Sequence, residues 1–237
     1  MIIVFTGKQW DYNSNIGIIK ANDINADGFE DAIYADSKEL HAIDVQNQII
    51  ISNYTFDSQI TDFTPFRVQD KPSVIVAFDN KLSFLTSNNS VFSEQSFINQ
   101  SCNRLELINY DTNTDLELMC LQKNSNKQQL IIYKLNDLTF TEVARNDIDN
   151  IVLDIAIDPT TDQQQNIFLT VQTGTDSAWY DDNNSYQIKK STADGNIIWS
   201  SPALVGKPSS HGLKTRYIAG KGLELMISTT NMMYWIK

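Results

Sequence analysis

Short apolar runs return along this chain at a near-constant spacing, and that recurrence limits its fold more than any single segment does. The runs begin at Asp31 (Asp-Ala-Ile-Tyr), Ser73 (Ser-Val-Ile-Val), Asp115 (Asp-Leu-Glu-Leu-Met), Asn166 (Asn-Ile-Phe-Leu) and Glu224 (Glu-Leu-Met-Ile). Successive starts stand 42, 42, 51 and 58 residues apart. Each run is too short for a helix and rich in β-branched or aromatic residues, and Asn, Asp, Ser, Thr and Gly separate the runs, the pattern of strands joined by turns. Four-stranded propeller blades recur at about 40–50 residues. The expectation is therefore an all-β chain, a single β-propeller domain over residues 1–237 with about five four-stranded blades.

The later spacings need insertions, and residues 122–129 and 174–185 supply them. Third strands begin nine residues after three of the anchors, at Leu40, Leu82 and Met233. Fourth strands are expected over 49–54, 91–97, 139–144 and 196–200. The fifth repeat has none, because the chain ends at Lys237, while residues 2–6 form a spare strand. Pairing that strand onto the last blade would close the ring and protect its edges.

One loop carries chemistry. Residues 22–31 read Asn-Asp-Ile-Asn-Ala-Asp-Gly-Phe-Glu-Asp. Calcium takes about six to eight oxygen ligands at flexible distances. Asp23, Asn25 and Asp27 alternate, so a tight turn can aim all three inward, and Gly28 permits the turn. The Phe29 carbonyl and the Asp31 carboxylate would complete the set. Without a cation the three aspartates would repel one another. An EF-hand is excluded, because its twelfth position, a bidentate Glu between helices, is here Tyr34 in an apolar strand.

Residues 16–44, built on this loop, resemble one whole repeat of the FG-GAP/VCBS family of propellers. The resemblance implies that Asp23, Asn25, Asp27, Phe29 through its backbone, and Asp31 bind Ca2+. It also implies a secreted, cell-surface or periplasmic adhesion or recognition module, in which this chain forms part of a larger polypeptide. The other repeats depart from the pattern. Asp111-Thr-Asn-Thr-Asp115 lacks the Asp-Gly pair, and Asp158, Asp162 and Asn166 offer too few ligands for more than a weak second site.

The net charge of −11 argues against nucleic acid and anionic lipid as partners. No apolar run reaches membrane-spanning length, so no membrane insertion is expected. Cys102 and Cys120 fit one disulfide, but two buried thiols fit better, because Cys120 sits inside an apolar run.

The candidate ligand loop is the insertion around Trp179, Tyr180, Asp181 and Asp182, where aromatic rings could stack on a glycan or protein partner and carboxylates accept its hydrogen bonds. The opposite reading packs Trp179 over its blade. Two further functions stay open. One is a carbohydrate-active enzyme using Asp62, Asp111, Asp154 or Asp158 at the propeller axis; the other is a plain structural spacer. The two histidines, His41 and His211, sit in no recognisable triad.

Overall fold

The computed structural model describes residues 2–5, 8–11, 17–68, 71–88, 91–113, 115–124, 127–136, 138–162, 164–173, 185–230 and 232–236. Every named element among them is a strand. The first two, β1 (Ile2–Phe5) and β2 (Lys8–Asp11), form a two-stranded antiparallel sheet.

Five antiparallel meanders follow. The first is β3 (Ile18–Asn22), β4 (Asp31–Asp36), β5 (Glu39–Asp44) and β6 (Ile49–Thr55). The second is β7 (Ile60–Val68), β8 (Lys71–Phe78), β9 (Lys81–Asn88) and β10 (Val91–Ile98). The third is β11 (Arg104–Ile108), β12 (Glu117–Asn124), β13 (Lys127–Asn136) and β14 (Thr139–Ile148). The fourth is β15 (Ile151–Ile157), β16 (Ile167–Gln172), β17 (Tyr186–Ser191) and β18 (Ile197–Ser200). The fifth has three strands, β19 (Pro208–Ile218), β20 (Gly222–Thr229) and β21 (Met233–Ile236).

The repeat period thus marks real sheets, with two corrections. Among the described residues the spare N-terminal strand pairs not with the last sheet but with its own neighbour, Ile2–Phe5 with Lys8–Asp11 in a short hairpin. In the third sheet the second strand starts at Glu117, two residues beyond Asp115, and Glu117 is buried while Asp115 is exposed. Two residues make one full strand period, so the difference in burial comes from Asp115 lying before the strand and Glu117 opening it.

Tight turns fix the registers. Asp36 pairs with Glu39 and Phe78 with Lys81, leaving two-residue connections whose first residues, Ser37 and Asp79, have φ of +55° and +50°. Such primed turns match the twist of the strands they join. Burial follows the strand's place in its sheet. In β8 and β9 nearly every residue is buried on both faces, whereas β10 and β18 are largely exposed.

The chain forms two compact units, residues 1–105 with 137–139, and residues 106–136 with 140–237. The first is built on Ile33, Leu40, Phe63, Val74, Val76 and Leu85, all fully buried. The second holds one cluster around Met119, Leu130, Ile132 and Val171, and another around Phe168, Ile188, Leu213 and Ile227. Burying each such aliphatic side chain contributes about 1.5–3 kcal/mol.

Both cysteines are disulfide-bonded and neither is free. This corrects the expectation of buried thiols: Cys102 and Cys120 are buried as expected, but a disulfide is as apolar as a thiol and needs no partner for an S–H.

Candidate functional site

The β3–β4 loop is built by its own polar side chains. Asp23 accepts from the Asp27 and Gly28 N–H groups through its two oxygens, each at 3.1 Å. Asn25 Oδ1 accepts from Asp27 N at 3.0 Å, and Asp27 Oδ1 accepts from Phe29 N at 2.9 Å. These are Asx turns, in which a short side chain replaces a backbone acceptor. Gly28, at φ +89°, takes a conformation that costs a residue with a Cβ. Asp31 closes the loop from the first position of β4, its Oδ2 accepting from Ile24 N at 2.8 Å and Asn25 N at 3.3 Å.

The sequence-expected ligands Asp23, Asn25, Asp27 and Asp31 are thus in one turn, with Phe29 exposed at its tip. A further acid, Asp44, was not anticipated. It comes from the end of β5, is 3% exposed, and accepts from Asn25 Nδ2 at 3.4 Å as well as from the Asn47 side chain at 2.7 Å. Its place at the end of the third strand of the same repeat is the signal that could have flagged it. Arg67 reaches the loop from β7, its Nη1 3.1 Å from the Asp23 carbonyl oxygen and 3.8 Å from the carboxylate.

Burial pushes the Asp31 carboxyl up to about 6; the Ile24 and Asn25 N–H groups pull it down, and Asp27 and Asp44 raise it further. Negative charge at this spot is therefore held at a cost. Among the described residues no group of three or more His, Cys, Asp or Glu side chains is already gathered as a metal cluster. The donor chemistry nevertheless suits a hard cation, since Asp23, Asn25, Asp27, Asp31 and Asp44 bring carboxylate and amide oxygens to one turn, with the Arg67 guanidinium at its edge.

Acidic residues in the second strands of the third and fifth sheets, and one after the first strand of the fourth, are partnered differently. In the third sheet, Glu117 Oε2 accepts from Tyr110 N at 3.0 Å, the same seven-residue reach as Asp31 to Ile24. Burial raises its carboxyl too, and Asp111 and Asp115 add to the rise. In the fourth, Asp158 lies in the loop with Asp162 and Asn166. Its Oδ1 accepts from Thr160 N at 3.0 Å, and Lys190 Nζ sits 2.7 Å from its Oδ2. Burial raises the Asp158 carboxyl, but the Lys190 and Thr160 donors outweigh it and hold the group below the usual range. A lysine thus already supplies the positive charge where a weak second metal site was expected. In the fifth, Arg216 Nε donates to Glu224 Oε2 at 2.7 Å.

Asp62 and Asp154, considered above for catalysis, are buried at β-bulges in the first strands of their sheets. Each accepts from the N–H of the residue after it and, through the second oxygen, from a first strand of the following sheet. Asp62 also meets Lys20 Nζ at 3.6 Å. Asp111 accepts from Asn113 N at 2.7 Å within its own loop. His41 stacks on Tyr34 with ring centroids 4.8 Å apart, a packing role. Trp179, Tyr180, Asp181 and Asp182 lie outside the described residues.

No protein-family model matches the chain, and no curated protein matches it. Solved structures do. BBS1N in complex with ARL6DN aligns with a TM-score of 0.64 at 11% identity, over 95% of this chain and 66% of that one. Hydrazine synthase of Kuenenia stuttgartiensis aligns with a TM-score of 0.60 at 14% identity, over 86% of this chain and 60% of that one. The Dos1 propeller aligns with a TM-score of 0.53 at 12% identity, over 86% of this chain and 52% of that one. The chain spans about half to two thirds of the length of these structures. At such identities the likeness speaks to fold alone, and with the five successive meanders it shows that this chain is built as five blades of a β-propeller.

Proposed function

We propose that this chain is a calcium-stabilised recognition module that engages a protein partner in an oxidising, extracytoplasmic setting. One observation carries the reading: a buried carboxylate, Asp31, is forced up to about 6 inside a loop of oxygen donors. A divalent cation bound by Asp23, Asn25, Asp27, the Phe29 carbonyl and Asp31 would relieve that cost and tie β3 to β4.

The setting is supported by the cystine state of Cys102 and Cys120, since such bonds persist mainly in oxidising compartments. Calcium-dependent loops fit the same compartments. Recognition is supported by the fold, since BBS1N is a propeller-like neighbour solved in complex with a protein, ARL6DN. It is supported also by Met233 and Trp235, large apolar side chains left about half exposed or more on one face of the last sheet. A glycan ligand depends on Trp179 and its neighbours, and an enzyme depends on carboxylates that here hold backbone N–H groups. Neither has a comparable observation in its favour.

The test is calcium binding by isothermal titration to wild type and to Asp27→Ala and Asp31→Asn. The reading expects one site in wild type and none in either variant. Absence of binding by wild type at millimolar calcium would remove the calcium half of the reading.

A further inference from the structure

The loop between the first two strands of the third sheet holds a buried oxygen that nothing satisfies. Asn109 directly follows β11 and is 5% exposed. Its backbone is fixed by Gln165, whose Oε1 accepts from Asn109 N at 2.9 Å and whose N–H donates to the Asn109 carbonyl at 2.9 Å. Its side-chain Nδ2 donates to the Asn113 carbonyl at 3.0 Å, which turns the amide into the loop. That bond also fixes which end of the amide is oxygen, because the opposite flip would set oxygen against oxygen. Asn109 Oδ1 is left buried with no hydrogen-bond partner. Native structures rarely leave such an acceptor empty, since burial strips it of water.

Two carboxylates belong to the same loop. Glu117, 1% exposed, accepts through Oε2 from the N–H of Tyr110, the residue next to Asn109. Asp111 accepts from Asn113 N and from Asn113 Nδ2, each at 2.7 Å, and so is anchored on the residue whose carbonyl holds Asn109. Burial raises the Glu117 carboxyl, the Tyr110 N–H lowers it, and the Asp111 charge raises it again.

Positive charge is what this loop lacks. Asp158 in the fourth sheet has the Lys190 ammonium at 2.7 Å, and Glu224 in the fifth has Arg216 at 2.7 Å. Lys134 lies opposite Glu117 in the ladder, but it acts on Glu117 less than Asp111 does and forms no ion pair with it among the described residues. A buried water could donate to Asn109 Oδ1 and would leave both carboxylates uncompensated. A cation answers both needs.

The donors define the ion. Amide and carboxylate oxygens suit a hard divalent cation. Calcium asks for about six to eight oxygens, whereas magnesium is held by one or two carboxylates and keeps several waters. The glycine that lets the Asp23 loop curl has no counterpart between Asp111 and Glu117.

We infer that Asn109, Asp111 and Glu117 bind a second divalent cation, one of the small octahedral class of magnesium and manganese, with water completing its shell. The ion ties the end of β11 to the start of β12. It does not rest on the calcium reading of the Asp23 loop.

Manganese is the probe, followed by the loss of its free-ion EPR signal. It is titrated into Asp27→Ala, in which the first loop is disabled, with thermal melts to establish that each protein is folded. That protein binds one manganese ion per chain. Adding Glu117→Gln or Asn109→Ala weakens binding by at least about tenfold. Asp111→Asn, which keeps an acceptor for Asn113 N and changes no core residue, weakens it as well. Magnesium displaces the ion more effectively than calcium does. No manganese binding in the millimolar range would overturn the inference and leave the Asn109 oxygen to a water. Undiminished binding in folded Asp111→Asn or Glu117→Gln protein, or preferential displacement by calcium, would also overturn it. The calcium reading is scored separately: a silent Asp23 loop leaves manganese binding in place, and absent manganese binding leaves the Asp23 loop standing.

Discussion

Asp154 Oδ2 accepts the backbone N–H of Leu213 at 3.0 Å, and so fastens the first strand of the fourth sheet to the first strand of the fifth. The bulge between Val152 and Asp154 aims the carboxylate, and its other oxygen takes the Ile155 N–H. Asp62 repeats the arrangement with Phe63 and Leu105, again beside a bulge. A bulge adds a residue to one strand and redirects its side chain, so the same device pins two pairs of neighbouring first strands without continuous pairing.

Asp154→Ala should lower stability by about 2–3 kcal/mol, because the buried Leu213 and Ile155 N–H groups lose a charged acceptor. Asp154→Asn should cost less, since its carbonyl oxygen keeps one of the two bonds. Urea melts of both variants read this directly; an Asp154→Ala protein as stable as wild type would show the clamp to be idle.

Lys190→Met should destabilise by about 3 kcal/mol by leaving Asp158 charged and buried without its ammonium. The pH dependence has a definite sign. The Asp158 carboxyl is held below its ordinary value in the folded protein, so its contribution is present above the ordinary range and is lost as pH falls through the depressed value. The gap between wild type and Lys190→Met should therefore shrink on acidification. A gap that grows toward low pH would contradict the pairing.

Asp31 works in the opposite direction. Its folded value of about 6 lies above the ordinary 3.8, so protonation favours the fold, and that contribution fades as pH rises from about 4 through about 6. In chelator, wild type should lose on the order of 3 kcal/mol relative to Asp31→Asn across this window. Added calcium should reverse the order at neutral pH. Parallel pH profiles for the two proteins in chelator would refute the raised carboxyl.

Thiol labelling tests the compartment argument. Protein denatured without reductant should take up no maleimide, and protein reduced first should take up two per chain, one for each cysteine. Labelling before reduction would remove the support that the cystine gives to an oxidising setting.

Much of this was legible in the sequence because strands of a repeated meander write themselves as short apolar runs at fixed spacing. The expected fourth strands at 49–54 and 91–97 coincide with Ile49–Thr55 and Val91–Ile98. The alternating loop at Asp23 was legible for the same local reason: its side chains bond to backbone two to five residues away. What escaped was set by distant partners. Nothing near Asp158 in the chain announces Lys190, and nothing near Asp62 announces Leu105. Asp115 lies exposed before the strand and Glu117 opens it buried, and that boundary is decided by packing rather than by spacing. The pairing of Ile2–Phe5 with Lys8–Asp11 was missed because a strand's local pattern does not name its neighbour.

The central claim is most directly tested by the melting temperature of wild type and Asp27→Ala, each in excess calcium and in chelator. At about a hundred times the dissociation constant, calcium should add about 2.7 kcal/mol. For a chain of this size that raises the midpoint by about 5–10 °C in wild type and leaves Asp27→Ala unmoved. Equal midpoints in calcium and chelator for wild type, or an equal rise in both proteins, would contradict a calcium-stabilised loop at Asp23, Asn25, Asp27 and Asp31.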